Sequence, residues 1–245
     1  MTTASTLRRF GTAIPKGRGI VVSALHPASR SARTLFPTRV FDPHEVDRVL
    51  KDGHQSRKIG KTVMKGHRKG WPIYTLTLEE RASCPRACAA WAICYGNNMQ
   101  AAERIVHGDA LVHRLERELA DLQAAHPGGF LIRLHILGDF WSIGYVGAWR
   151  EWLDRFPALA VFGFTAHPPG SAIGGAIMCV LRDYAERWHV RFSGAPNEFM
   201  AARVVEPGTV DPDAILCPAQ TGATDCCATC ALCWQSDRSI AFRPH

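Results

Sequence analysis

Beyond Trp71, short apolar stretches alternate with longer ones whose apolar residues recur every third or fourth position. "WPIYTLTLEE" (71–80) alternates apolar and polar residues and is rich in β-branched and aromatic types, so it predicts a strand. In 99–129 the residues Leu111, Leu115, Leu119 and Leu122 fall at helical spacing, and Pro127-Gly128-Gly129 closes the element. "GFLIRLHILGDF" (129–140) predicts an apolar strand. "SIGYVGAWREWLDRFP" (142–157) predicts a helix capped by Ser142 and stopped by Pro157. "LAVFGFTAH" (159–167) predicts the next strand and 172–188 another helix, while "HVRFSG", "AARVVEP" and "DAILCPA" predict further short strands. Strands that are apolar on both faces and separated by helices imply a parallel sheet covered by helices. The expected fold class is α/β, a partial parallel (β/α)5–6 barrel, because the chain offers five or six such strands and a closed barrel needs eight.

Charge divides the chain further. Residues 1–70 hold 15 Lys and Arg against 4 Asp and Glu, whereas the remainder holds 14 against 18. Three parts are expected: a basic, partly extended leader over 1–70, the α/β body over 71–216 and a Cys-rich segment over 217–245. The leader reads equally as a phosphate-binding arm, with nucleic acid as partner, and as a solvated extension. Its first residues lack the apolar core of a secretory signal. The longest apolar run, near "AIGGAIMCVL", is about half of a membrane span. A cytoplasmic protein with no membrane partner is expected.

In a reducing compartment, clustered cysteines read as metal ligands or reactive thiols before disulfides. Eight of the nine cysteines fall in two short groups. Cys84, Cys88 and Cys94 form C-x3-C-x5-C, one thiol short of a closed tetrahedral site, and Asn98 stands where a CCCH zinc finger would need its histidine. Three thiolates suit a 4Fe–4S cluster that keeps one iron open for a substrate or cofactor. The alternative is a structural cluster completed by a ligand from elsewhere. In the second group, Cys227, Cys230 and Cys233 form C-x2-C-x2-C, which Cys217 can complete to a closed four-thiolate cluster, with zinc in the same four positions as the competing occupant. Cys226 reads as a spectator, with replacement of Cys227 as a ligand as the alternative, and Cys179, in an apolar helix, as a buried structural cysteine.

The remaining chemistry-bearing residues collect at the carboxyl ends of the expected strands, where parallel α/β folds build their sites. Gly138 and Asp139 end the second strand, Thr165 and His167 the third, Ser193 and Asn197 follow the fourth, and Cys217 ends the last. Arg133 and His135 lie two apart on one strand and are expected on one side. With Asp139 they are the candidate catalytic residues. Trp141, Trp149 and Trp152 read as helix packing, and Trp91 and Trp234 as shields of the cysteine groups.

"CPRACAAWAICYGN", "RLHILGDFWSIGYVGAW" and the terminal "CCATCALCW" with its final histidine resemble the phage-associated "gene product 88" family, which is similar to radical S-adenosylmethionine (SAM) proteins in its Cys-rich loop after the first strand. The resemblance covers 57–245. It implies a radical-SAM-like fold, a catalytic cluster on Cys84, Cys88 and Cys94, S-adenosylmethionine as cofactor, and an electron donor as partner. It also implies that Gly138 and Asp139, in place of a Gly-Gly-Glu-like turn, lie near the methionine amino group, with Thr165, His167 and Ser193 as further cofactor contacts. The second gap of the motif, five residues, departs from the C-x3-C-x2-C of that superfamily. The expected function is an iron–sulfur enzyme with a second, auxiliary cluster. The alternatives are a non-redox iron–sulfur enzyme, such as a sulfur transferase, and a zinc-stabilised nucleic-acid-binding protein.

Overall fold

The computed structural model describes residues 20–56, 58–196 and 200–244. In chain order its elements are α1 (Pro27–Arg30), β1 (Val40–Phe41), β2 (Lys51–Asp52), β3 (Ile73–Thr75), β4 (Arg104–Ile105), α2 (Asp109–Ala125), β5 (Phe130–Leu134), α3 (Ile143–Arg155), β6 (Leu159–Thr165), α4 (Ala172–Asp183), β7 (Trp188–Phe192), β8 (Ala202–Val204), β9 (Ala214–Leu216), α5 (Pro218–Thr221), α6 (Cys227–Cys230), α7 (Leu232–Gln235) and β10 (Ser239–Phe242). The protein is α/β, and its main sheet has the order β2-β3-β5-β6-β7. All neighbours in it are parallel except β2, which runs antiparallel to β3.

The four parallel strands lie side by side in the order in which they are synthesised. Each crossover therefore steps the same way, and right-handed crossovers put α2, α3 and α4 on one face. Alternation along the strands sorts the side chains. Phe130, Ile132 and Leu134 of β5, Leu159 and Val161 of β6, and Trp188, Val190 and Phe192 of β7 pack in the helix layer. Leu131, Ala160 and Phe162 face the other way. All four leucines expected on one helical face are buried in α2. Ser142 caps α3, its hydroxyl accepting from the Tyr145 N–H at 3.1 Å.

Part of the expected barrel takes another form. Four parallel strands joined by three βα crossovers, with β2 as an antiparallel edge, make up the main sheet, and no barrel closes among the described residues. The predicted strands near 201–207 and 213–219 do form, as β8 and β9, but in a separate three-stranded parallel sheet ordered β8-β10-β9. One parallel bridge, Ser193 to Ala202, joins it to the end of β7. Within 71–80, β3 keeps only three residues, because Leu78 bridges to Ile105 of β4 instead. The helix expected in 99–129 starts at Asp109, since Arg104 and Ile105 pair with β1 and Gly108, at φ 137°, breaks the chain before it.

The leader and the C-terminal segment are not appendages. Residues 1–19 and Asn197 lie outside the described residues. Residues 20–70 supply the edge strand β2 and bury Val49 and Leu50 in the helix-side core. The Cys-rich segment covers the sheet face that the helices leave open. Ala228, Ala231 and Trp234 pack there with Ile59, Val63, Ile73, Leu131 and Phe162, and the Trp234 and Phe162 rings lie 4.6 Å apart. Cys179 corrects its prediction. It is exposed, because α4 turns Ile177 and Val180 inward and position 179 falls about 200° from 177.

Trp234→Ala is expected to cost about 3–5 kcal/mol in urea unfolding, the usual loss for a large buried aromatic. Ile143→Ala, at a position 54% exposed, is expected to stay within about 0.5 kcal/mol.

Candidate metal and cofactor site

The chain leaves β3 through Glu79, Glu80 and Arg81, all buried. A buried carboxylate needs a partner, and Glu80 has a bidentate one: Arg104 donates to it at 2.7 and 3.1 Å. The same guanidinium donates to the carbonyls of Gly96, Met99 and Ala102. Glu79 accepts from Arg33 at 2.7 Å and from the Thr34 N–H at 3.1 Å, and the Thr34 hydroxyl donates to Glu80 at 2.7 Å. Arg81 donates to the Trp91 carbonyl and to the Asn97 side-chain oxygen. The Asn97 amide donates in turn to the carbonyls of Ala92 and Ile20. The loop that carries Cys84, Cys88 and Cys94 is thus wound around a buried ionic network.

All three thiols of this loop are partly buried. Burial pushes each upward in pKa. Asp139 and the other two thiols add to this at Cys84, Asp139 adds at Cys88, and Glu80 and Cys88 add at Cys94. Backbone N–H groups act the other way: that of Arg81 bonds Cys84, that of Ala90 bonds Cys88 and that of Gly96 bonds Cys94. Arg81 further favours the thiolates of Cys88 and Cys94. Three sulfurs in one shared field, each met by an N–H, form a donor set that suits metal-bound thiolates.

The turn after β5 packs against this loop. Gly138 has φ +84°, and a Cβ there would stand 2.6 Å from both Leu78 Cβ and Ser83 Oγ, so only glycine fits. The next N–H, of Asp139, donates to Ser83 Oγ at 3.2 Å. The Asp139 carboxylate is buried and accepts from the N–H groups of Phe140 at 2.8 Å and Ala166 at 2.7 Å. Burial nevertheless pushes its pKa up, against those bonds, the Thr165 hydroxyl and nearby His167. His167 is held by the Phe140 carbonyl at 2.7 Å and by Thr165 Oγ1, which accepts from its N–H at 3.1 Å. Gly138, Asp139, Thr165 and His167 therefore share one rim with Cys84 and Cys88. Ser193 joins its edge, its N–H donating to the Thr165 carbonyl at 2.8 Å.

Arg133 and His135 do not share a side. The strand ends at Leu134, and His135 turns into the helix layer, where its ring lies 4.9 Å from Phe140 and its Nε2 is 3.1 Å from the Tyr145 hydroxyl. Burial, then Arg133, push its pKa down to about 3. It is a neutral packing residue, away from the rim. Arg133 points to the opposite face, over the rings of Phe162 and Phe164.

The second cysteine group lies on that face. Cys217 precedes α5, and Cys227, Cys230 and Cys233 ride on α6 and α7, with Ala231 at φ +64° turning the chain between them. Burial raises the Cys227 thiol, followed by Cys233 and Cys217, and burial raises Cys233 to about 11. Cys226 stands apart. Its sulfur packs in the apolar layer against Gly60, where a Cβ would come within 2.7 Å of it. Tyr95, next to Cys94, connects the two groups, since its phenol interacts with Arg133 and Cys227.

The cysteines are gathered without being closed on a point. Among the described residues no group of three or more His, Cys, Asp or Glu side chains is arranged to hold a single metal ion. No described helix is long and apolar enough to cross a membrane. In comparison with known proteins, the chain matches no family model, no curated protein and no solved structure.

Sequence patterns alone did not point to Glu80, Arg81, Asn97, Arg104 or Tyr95. The signal that could have found the first of these is the run Glu79-Glu80-Arg81 directly after an apolar strand, which reads as a solvated turn until its partners are known.

Arg104→Ala leaves the Glu80 charge buried alone, and a loss of about 3–5 kcal/mol is expected in denaturant unfolding. His135 supplies a pH test. The unfolded chain binds a proton near pH 6.5 that the folded protein refuses until about pH 3, so stability falls as pH drops through that window. Between pH 6.5 and 5 the natural protein is expected to lose about 1–2 kcal/mol more than His135→Phe. Parallel curves would remove His135 from the acid limb.

Proposed function

We propose that the protein is an iron–sulfur enzyme of radical-SAM-like type, built on a partial parallel barrel. The observation that carries this is the meeting of Cys84, Cys88 and Cys94 with Asp139, Thr165 and His167 at the carboxyl end of parallel strands. Cys84, Cys88 and Cys94 would hold a 4Fe–4S cluster, and Cys217, Cys227, Cys230 and Cys233 a second. A three-thiolate cluster with S-adenosylmethionine supplies one-electron cleavage chemistry and a radical for hydrogen abstraction.

The chain's own contribution is orientation and charge. Gly138 lets the turn approach the cysteine loop without a side chain between them. Asp139, fixed by two backbone N–H groups and destabilised as an anion by burial, offers a cationic ligand such as an ammonium group a site where it would be stabilised. Thr165 and His167 hold that carboxylate and the adjoining turn. Ser193 extends the rim. Thiols of this kind fit a reducing cytoplasm, and an electron donor is the partner this chemistry requires.

Protein purified anaerobically is expected to be brown, to absorb near 400 nm and to carry about eight iron atoms and matching sulfide per chain. Dithionite with SAM is expected to yield 5′-deoxyadenosine. Alanine at Cys84, Cys88 or Cys94 is expected to abolish that product and about half of the iron, whereas Cys230→Ala lowers the melting temperature through lost metal-coupled folding. Iron without SAM cleavage would point to non-redox use of the open iron, such as sulfur transfer. Zinc alone would overturn the reading.

A second reading has one observation of its own. Residues 53–78 contain no Asp or Glu, and Lys61, Lys65 and Lys69 in that stretch are exposed. Zinc-only protein with salt-sensitive RNA or DNA binding would favour a nucleic-acid-binding function.

A further inference from the structure

Two arginines on the open face of the sheet have no carboxylate partner among the described residues. Arg191 exposes none of its surface. Its NH1 donates to the Arg238 carbonyl at 2.7 Å and its NH2 to Ser236, and its Nε is buried without a partner. Arg133, deep on β5 but with some accessible surface, makes one hydrogen bond, to the His135 carbonyl at 3.1 Å. Neither forms an ion pair among the described residues, unlike buried Arg104, which has Glu80. Burial acts against both charges. What counters it at Arg133 is Cys227, then Cys233 and Tyr95, and at Arg191 it is Cys233, then Asp237.

Both guanidiniums lie in the layer that holds these thiols: Arg191 reaches the carbonyl of Leu232, next to Cys233, and Arg133 lies over the ring of Phe162, in the cluster against which Cys227 and Cys233 pack. A buried cation opposite neutral thiols is a standing cost, whereas opposite an anion it is stabilising. Arginine keeps its charge in such surroundings. Four thiolates around zinc or around an iron–sulfur core leave the centre negative overall, so metal loading would turn an uncompensated pair of cations into a compensated one.

We propose that Arg133 and Arg191 are positioning residues for the C-terminal cysteine centre, built-in counter-cations that hold its net negative charge and favour the metal-loaded form. This rests on reading Cys217, Cys227, Cys230 and Cys233 as metal ligands, and it holds for either metal. Arg133 is the better test of the two, because Arg191 also ties the backbone at Leu232, Ser236 and Arg238 to the sheet. Its replacement would disturb folding as well as charge.

The experiment compares natural protein, Arg133→Met, Arg133→Lys and Cys230→Ala, each full-length. Each is loaded with zinc, or with ferrous iron and sulfide, and each is also prepared metal-free. Retention against a chelator and melting temperature are read for every form. Arg133→Met is expected to weaken retention about tenfold or more, the usual effect of losing a group that supports metal ligands, while Arg133→Lys keeps most of it. The melting temperatures decide between charge and packing. Removing an uncompensated cation should leave metal-free Arg133→Met as stable as the natural protein or more so, yet lower the loaded form. Equal shifts in both forms would make Arg133 a packing residue and overturn the proposal. So would unchanged retention in Arg133→Met while Cys230→Ala loses metal, and that result would leave the metal-site reading standing. If Cys230→Ala loses no metal relative to natural protein, both the site and the proposal fall.

Discussion

Glu80, five residues past the end of β3, carries a carboxylate that has no access to water, and Arg104 answers it from 24 residues further along. Everything between them, the whole cysteine loop, is closed by that contact. The guanidinium reaches carbonyls of Gly96, Met99 and Ala102 as well, so one side chain fixes both the end of the loop and the turn that leads to β4. Gly96 is drawn so close to Glu80 that a Cβ would meet the carboxylate at 2.9 Å. A pair this deep gives little net stability, since desolvation offsets most of the attraction. Breaking it is costly all the same, because either charge would then be buried without its partner.

The sheet separates two kinds of packing. On one face, helices and strands form an apolar core that would suit many α/β proteins. On the other, the covering layer is a cysteine-bearing segment of short helices, tied to residues 58–64 by backbone bonds from Cys227 and Ala228 and a return bond from Met64 to the Ala228 carbonyl. Burial that elsewhere comes from leucine and tryptophan here comes partly from cysteine and arginine. Both cysteine groups, and the arginines near them, lie on this side or at its rim. Tyr95 stands between the groups. Fold and candidate chemistry are divided by the sheet with little overlap.

Much of the helix side could be read from the sequence. Leucines at 111, 115, 119 and 122, the Ser142 cap and the apolar runs of β5 and β6 obey local rules that tertiary context did not override. Gly138 and Asp139 were legible as a strand-end turn, although their role depends on Ser83 and Ala166, distant in sequence. Where long-range contacts decide, local pattern failed. Period-two alternation put His135 beside Arg133, yet the strand stops one residue earlier and the imidazole goes to Tyr145. The charges Glu79 to Arg81 look solvated in isolation and are buried by residues 33, 34, 97 and 104. The apolar neighbours of Cys179 suggested burial, but the phase of α4 turns it outward.

The position of β10 has a temporal consequence. This strand lies at the centre of the small sheet, pairing with β8 on one edge and β9 on the other, although it leaves the ribosome after both. Until then β8 and β9 have no common neighbour, and Cys217 and Ala219 lack Ile240, which packs with them in a small apolar cluster. The helix side can assemble during synthesis, whereas the small sheet must wait for β10. A nascent chain halted shortly before Ser239 would carry a finished helix layer and two short strands, β8 and β9, whose inner edges lack their shared partner, a form open to edge pairing with chaperones or with its own copies.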